Sequence, residues 1–333
     1  RQMCIRDRLL AISSKIQDKS IPSFSISNSS EDKNFGTEDY KYAKRAATLY
    51  NSPFHEIQID SSLLSKLDEL CHTIDQPIGD TALLLTWILS KNASKDIRVA
   101  LSGAGADEWF AGYNRHLAFH NYSLYFAKNP TILKLTKSTS NLLPDGFSHP
   151  FRKHIRLWNK FTTSITSNAE ETFHHFRSTD WNQYDTKKLN YSNNPFTLQD
   201  ALEHDQNYYL ISDILALTDK TSMASSLEVR VPYLDKNLTE YLSTLPATYL
   251  LENGQKWILK ELLTKWGGKE FTKRQKEGFG LPFGKWIKEK KHQHLLTELL
   301  NRKNKLYEYI NHDTVSIIVN EHMDSKKDNT SLI

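Results

Sequence analysis

Between Ile21 and Leu101 short apolar runs alternate with helical stretches, and that order leaves few folds open. Ile21–Ser27 reads as a short buried strand in which Phe24 and Ile26 alternate with serines. A polar loop from Ser29 to Gly36 follows. Thr37 is placed to cap a helix whose first turn carries Glu38 and Asp39, acids that suit the positive end of a helix. Tyr40, Ala43, Ala47 and Tyr50 share one face of that helix. His55–Ile59 reads as a second strand, Leu63–Ile74 and Thr81–Lys91 as helices, and Ile97–Leu101 as a third strand. Strand, helix, strand, helix, strand is the order of an α/β fold with a parallel sheet covered by helices. Ligands of such sheets bind at the carboxyl ends of the strands, which puts Ser27 and Ser102 at a candidate site.

From about Phe119 the texture changes. Leu202–Leu227, Leu238–Leu245, Trp257–Trp266 and Phe283–Leu300 read as helices, with no clear strand pattern among them. The expected organisation is an α/β nucleotide-binding part over 9–120 and a mainly helical remainder over 121–333, with residues 1–8 a sequencing-adapter artefact outside the fold. Setting those eight aside lowers the net charge from +4 to +2, so charge gives no argument for a nucleic-acid partner. It also leaves Cys71 as the single cysteine, which excludes a disulfide framework and fits a reducing, cytoplasmic setting. No apolar run approaches the ~20 residues that span a bilayer, so no membrane partner is expected.

Three segments have the makings of chemistry. Leu101–Tyr113 (LSGAGADEWFAGY) runs from a strand into a glycine-bearing loop and then Asp107 and Glu108. Glycines let backbone N–H groups approach an anion, and a carboxylate beside them suits Mg²⁺. A tight turn feeding a helix accounts for the same pattern equally well. Glu108 stands where a dinucleotide fingerprint needs its third glycine, and no P-loop G-K-[ST] follows. Leu217–Asp235 carries Glu228 and Arg230 before a Pro232 turn, which by itself reads most simply as a helix end with an ion pair. Lys273–Trp286 places basic residues before a glycine-rich loop, a phosphate-reaching arrangement that composition alone assigns more simply to a solvated turn. His116 and His120 stand at i, i+4, but Leu117 fills the place of the metalloprotease glutamate and no third ligand is evident. No G-x-S-x-G elbow supports hydrolase chemistry.

Taken in order, these segments resemble the synthetase domain of the glutamine-dependent asparagine synthetases. Ser102–Tyr113 is similar to that family's S-G-x-G-x-D-E-x-F-x-G-Y, with Ala111 for a usual glycine. Asp219–Ala224 and Glu228–Asp235 are similar to its D-x-x-S-M-A and E-x-R-x-P-[FY]-L-D, and Lys276–Pro282 to its K-x-x-F-x-x-P. Asp75-Gln76-Pro77 with Asp80 resembles its D-E-P-x-x-D, with glutamine for glutamate. The resemblance covers nearly the whole chain. It implies a Rossmann-like sheet of the PP-loop ATP pyrophosphatase type, and a reaction in which aspartate and ATP form a β-aspartyl-adenylate that ammonia converts to asparagine, releasing AMP and pyrophosphate. It implies ATP and Mg²⁺ at the site: Asp107 on the metal, Lys276 as catalytic lysine, Ile26, Ser102 and Gly103 on ATP, and Glu108, Glu228, Arg230 and Asp80 in support. The ammonia source in the family is a glutaminase domain, expected to be missing here together with the S-G-G-x-D-S pyrophosphate loop; the chain is expected to be cut at both ends and inactive as given. A homodimer is among the assemblies the resemblance allows. Ala104 departs from the acid often found at the adenylate-forming position and keeps open a ligase acting on another carboxylate, such as a β-lactam-synthetase-like enzyme; the missing loop keeps open a non-catalytic chain.

Overall fold

The computed structural model describes residues 3–16, 20–28, 39–139, 152–178, 191–192, 194–266, 272, 281–330 and 332. The order over the first third is helix α1 (Met3–Ile16), strand β1 (Ser23–Asn28), helix α2 (Asp39–Leu49), strand β2 (Phe54–Ile59), helices α3 (Leu67–Cys71) and α4 (Ala82–Ala93), and strand β3 (Val99–Leu101). Helices α5 (Ala106–Trp109), α6 (Asn114–Tyr125), α7 (Pro130–Ser138), α8 (Arg152–Ser164), α9 (Ala169–Arg177) and α10 (Leu198–His204) follow. A π-helical stretch, Asp205–Leu215, joins α10 to α11 (Ala216–Met223). Beyond strand β4 (Glu228–Arg230) come α12 (Lys236–Ser243), α13 (Trp257–Lys265), α14 (Phe283–Trp286), α15 (Gln293–Leu299) and α16 (His312–Met323). The fold is α/β and mostly helical. Among the described residues no helix is long and apolar enough to cross a membrane.

The strands form two parallel pairs rather than the single sheet expected from their order. β1 pairs with β2, Ile26 opposite Ile57, and β3 pairs with β4, Leu101 opposite Arg230. β4 corrects the expectation of no strand beyond Phe119. Three residues are too few to show a period of two, and a ladder with a partner so distant in sequence leaves no local trace.

In β1 Ser25 and Ser27 are buried, and Phe24 and Ile26 are half-buried, Ile26 against the larger apolar core. The Ser27 hydroxyl donates to Glu56 Oε1 at 2.6 Å and Tyr40 donates to Oε2 at 2.6 Å. These bonds stabilise the Glu56 carboxylate and hold its pKa below the ordinary value. A buried hydroxyl with a partner is tolerated where one without would be costly. Helix α2 buries Ala46 and Ala47, with Tyr40, Ala43 and Tyr50 of the same stripe half-buried. Thr37 and Glu38 lie outside the described residues.

Two apolar clusters organise the rest. One joins Leu64, Leu84 and Trp87 to Trp286, Ile287, Val315 and Val319, so early helices pack directly on the last ones. The other is helical, built on Phe119, Tyr122, Phe173 and Leu202. A smaller group, Ala106, Phe110, Tyr233, Leu242 and Leu259, sits beneath the loop that leaves β3.

Candidate functional site

The β3–β4 ladder brings two of the three segments together. Its bonds extend past the strands: Ser102 N–H donates to the Arg230 carbonyl at 2.8 Å, and Glu228 N–H to the Arg98 carbonyl at 3.0 Å. Beyond Ser102 the chain turns through Gly103 and Ala104 to Gly105, whose φ of 87° lies in the left-handed region that glycine occupies without strain. A Cβ on Gly105 would stand 2.3 Å from Leu234 Cδ2, in the turn after β4. Phe110 meets Tyr233 edge-on at 6.2 Å. The turn of one segment is therefore shaped against the turn of the other.

Asp107 and Glu108, in the first turn of α5, are both buried. Their environments differ. Asp107 Oδ1 lies 3.1 Å from the buried Lys256 Nζ at the start of α13. Glu108 Oε1 accepts from Tyr113 OH at 2.5 Å. Burial pushes the Glu108 carboxyl up to about 7, and the neighbouring Asp107 charge adds to this against the Tyr113 bond. Burial also raises the Tyr113 phenol well above its ordinary value. Near neutral pH the Glu108 carboxyl is therefore about half protonated.

Gly112 closes the loop over Asp107. Its N–H donates to the Asp107 carbonyl at 2.7 Å, and a Cβ there would fall 2.0 Å from Asp107 Oδ1. Gln255 Nε2 donates to the Gly112 carbonyl and to Asn114 Oδ1, both at 3.1 Å.

A buried ionic cluster flanks this loop. Asp205, with no exposed surface, receives Arg115 Nε at 2.6 Å and His116 Nε2 at 2.7 Å on Oδ2, with Arg177 Nε 3.4 Å from Oδ1. The Arg115 guanidinium is stacked between Tyr113 and Tyr209, 3.9 and 4.4 Å from their ring centres. Burial alone would raise Asp205, but the His116 bond and the Arg115 charge outweigh it and hold the carboxyl below its ordinary value. Burial lowers the His116 pKa, against the opposing pull of Asp205, whose Oδ2 lies 2.7 Å from Nε2.

Other expected site residues have partners of their own. Ala104 is buried, its N–H donating to Ser102 Oγ at 3.3 Å. Ile26 packs at the edge of the larger core. Glu228 and Arg230 pair with each other at 2.8 Å, both well exposed. Asp80 accepts from Ala82 N–H at 2.8 Å at the start of α4. Asp75 pairs with Lys220 at 2.7 Å, tying the D-Q-P segment to α11. Lys276 lies outside the described residues.

Sequence reasoning missed Lys256, Asp205, Arg115 and Arg177. Only Lys256 carried a local signal, a lysine straight after Gly254-Gln255 at the start of an apolar helix. Among the described residues no three His, Cys, Asp or Glu side chains cluster as metal ligands. Magnesium at a phosphate site commonly takes only one or two carboxylates, the phosphates and water supplying the rest, so Asp107 is a compatible donor.

The profile of the family described as asparagine synthase matches residues 9–333. Over 300 residues the chain is 24% identical to "Asparagine synthetase (glutamine-hydrolyzing) 1" of Bacillus subtilis (strain 168), covering 86% of this chain and 47% of that protein. Over 235 residues it is 28% identical to a putative asparagine synthetase of Mycobacterium tuberculosis (strain H37Rv), covering 68% of this chain and 36% of the relative. The chain thus spans at most about half the length of these curated relatives.

Proposed function

This chain belongs to the asparagine synthase family, and from that premise we propose that it is the ATP-using part of an amide-forming ligase. The observation that carries the reading is the β3–β4 ladder, which brings the Ser102–Tyr113 loop and the Glu228–Asp235 turn into one structure around Asp107. In this reading an aspartate side-chain carboxylate oxygen attacks the α-phosphorus of ATP and pyrophosphate leaves. Ammonia then attacks the acyl carbon of the β-aspartyl-adenylate, and AMP leaves with the C–O electron pair. Transfer of this kind needs positioning and charge neutralisation more than covalent help.

Each part is assigned by its chemistry. Asp107 would hold Mg²⁺, which would supply charge neutralisation for the departing pyrophosphate. Ser102 and Gly103 contact the nucleotide, Ile26 lines the adenine side, and Lys276 balances charge on the α-phosphate. Glu108, bonded to Tyr113, keeps the Asp107 turn in place. Glu228, Arg230 and Asp80 shape the surrounding elements. The strands belong, on this reading, to a Rossmann-like PP-loop sheet, and ammonia comes from a glutaminase unit.

Ala104 favours a second reading. Its buried methyl supplies no carboxylate at this turn, and the second reading is a ligase that acts on a carboxylate other than aspartate. The test is amino-acid-dependent exchange of labelled pyrophosphate into ATP by the protein as its gene encodes it. Exchange with aspartate, lost in Asp107→Asn, supports the first reading; exchange with a different acid alone supports the second. Full exchange in Asp107→Asn refutes the role of Asp107.

A further inference from the structure

The charge of the whole chain conceals a strongly basic stretch. Between Trp109 and Ala169 stand eight Lys and Arg side chains and one acid, Asp145, a net charge of +7 in a chain whose total is +4. Helices α6, α7 and α8 belong to that stretch. Helix α7 buries only Leu133, in the helical core. At helical spacing Ile132 and Leu135 therefore share its outer face, with Lys134 beside them, and they are 46% and 70% exposed. Leu124 and Tyr125 at the end of α6, and Leu157 and Trp158 on α8, are exposed as well. Aromatic contacts join the three helices. Trp158 stacks on Phe161 at 6.3 Å, and Phe161 meets Phe126, at the corner between α6 and α7, edge-on at 5.5 Å.

The cations of this surface are not consumed by acids. Among the described residues Lys128, Lys134, Lys137 and Arg156 form no ion pair, whereas Lys91, Lys220 and Arg302 each hold a carboxylate. Exposed apolar side chains scattered singly need no explanation, but six on adjoining helices, set among unpaired cations, mark a surface made for contact. We propose that the outer face of α6–α8 docks on an anionic lipid surface. The cations meet the acidic headgroups, and Ile132, Leu135 and Trp158 enter the boundary between headgroups and acyl chains. This goes beyond the ligase reading and does not depend on it.

Other occupants would use only part of this face. A nucleic acid would engage the cations through its phosphates and leave Ile132 and Leu135 in water. A purely apolar protein contact would cover those side chains and desolvate the cations without compensation. A bilayer with acidic headgroups takes both at once, because the long Lys and Arg stems carry their charges to the headgroups from beside the apolar groups. Trp158 and Tyr125 are of the two residue types that settle at a membrane–water interface. Such a surface lies on a bilayer, in keeping with described helices of which none is long and apolar enough to cross one.

The experiment is co-sedimentation of the protein as its gene encodes it with vesicles of phosphatidylcholine, either alone or with about one-third phosphatidylglycerol. Binding is expected to the anionic vesicles only, and high salt releases it. Lys134→Gln/Lys137→Gln/Arg156→Gln weakens binding about a hundredfold, since each cation near such a surface is worth about fivefold. Ile132→Ser/Leu135→Ser weakens it by about tenfold. Thermal unfolding of each variant checks that these surface changes leave the fold intact; if the serine variant does not fold, the glutamine variant alone decides. No binding to anionic vesicles, or equal binding by the glutamine variant, overturns the proposal. Undiminished binding by a folded serine variant overturns it too, since the contact would then be charge alone. Retention on DNA or polyglutamate without binding to vesicles assigns the surface to another polyanion and likewise overturns it.

Discussion

Glu108→Gln isolates the cost of burying a carboxyl beside Asp107. In the folded chain burial holds the Glu108 pKa at about 7 against an ordinary 4.5. The folded state therefore keeps a proton that the unfolded chain releases above pH 4.5. Stability falls wherever the folded state binds more protons than the unfolded one, so it declines between pH 4.5 and about 7 and then levels off. At about 1.4 kcal/mol per pH unit, that interval is worth about 3 kcal/mol. Glutamine has the neutral acid's shape and its oxygen can accept the Tyr113 hydroxyl, which now donates to Glu108 at 2.5 Å. The variant should match the wild type near pH 4.5 and exceed it by up to about 3 kcal/mol at pH 8. Urea unfolding of both proteins at intervals from pH 4.5 to 8.5 reads the difference directly. Parallel stability curves would refute the argument, since they would mean that Glu108 titrates alike in the folded and unfolded chains.

Two further substitutions probe the supports of the same loop. Gly112→Ala drives a methyl to 2.0 Å from Asp107 Oδ1 and 2.9 Å from its Cα, and the backbone cannot yield as a flexible side chain would; a loss of about 2 kcal/mol or more in urea unfolding is expected, with weakened nucleotide binding by calorimetry. Asp205→Asn removes the charge shared by Arg115, His116 and Arg177. It should cost about 3–5 kcal/mol, read from the shift in the unfolding midpoint, because two largely buried guanidinium groups are left uncompensated.

Periodicity and turn chemistry are local, and they carried much of the molecule. The apolar run of α4, the strands at β2 and β3, and the helix beginning at Trp257 follow from side chains a few residues apart. The glycine turn after Leu101, with its adjacent acids, marked the candidate site for the same reason. The burial of Ser25 and Ser27 in β1 did not follow, because the Ser27 hydroxyl finds its partner in Glu56 on the neighbouring strand. Glu228–Arg230 became a strand only because β3 lies alongside it. Local order also gave no notice that Asp205 would gather cations from α6 and α9, or that Lys256 would meet Asp107. By itself, the order of residues determined the strands at β2 and β3, the helices α4 and α13, and the glycine turn that is proposed to receive a phosphate. Tertiary structure alone decided which buried charges neutralise one another, since an ion pair depends on distance and dielectric, and both are set by packing between segments far apart in the chain.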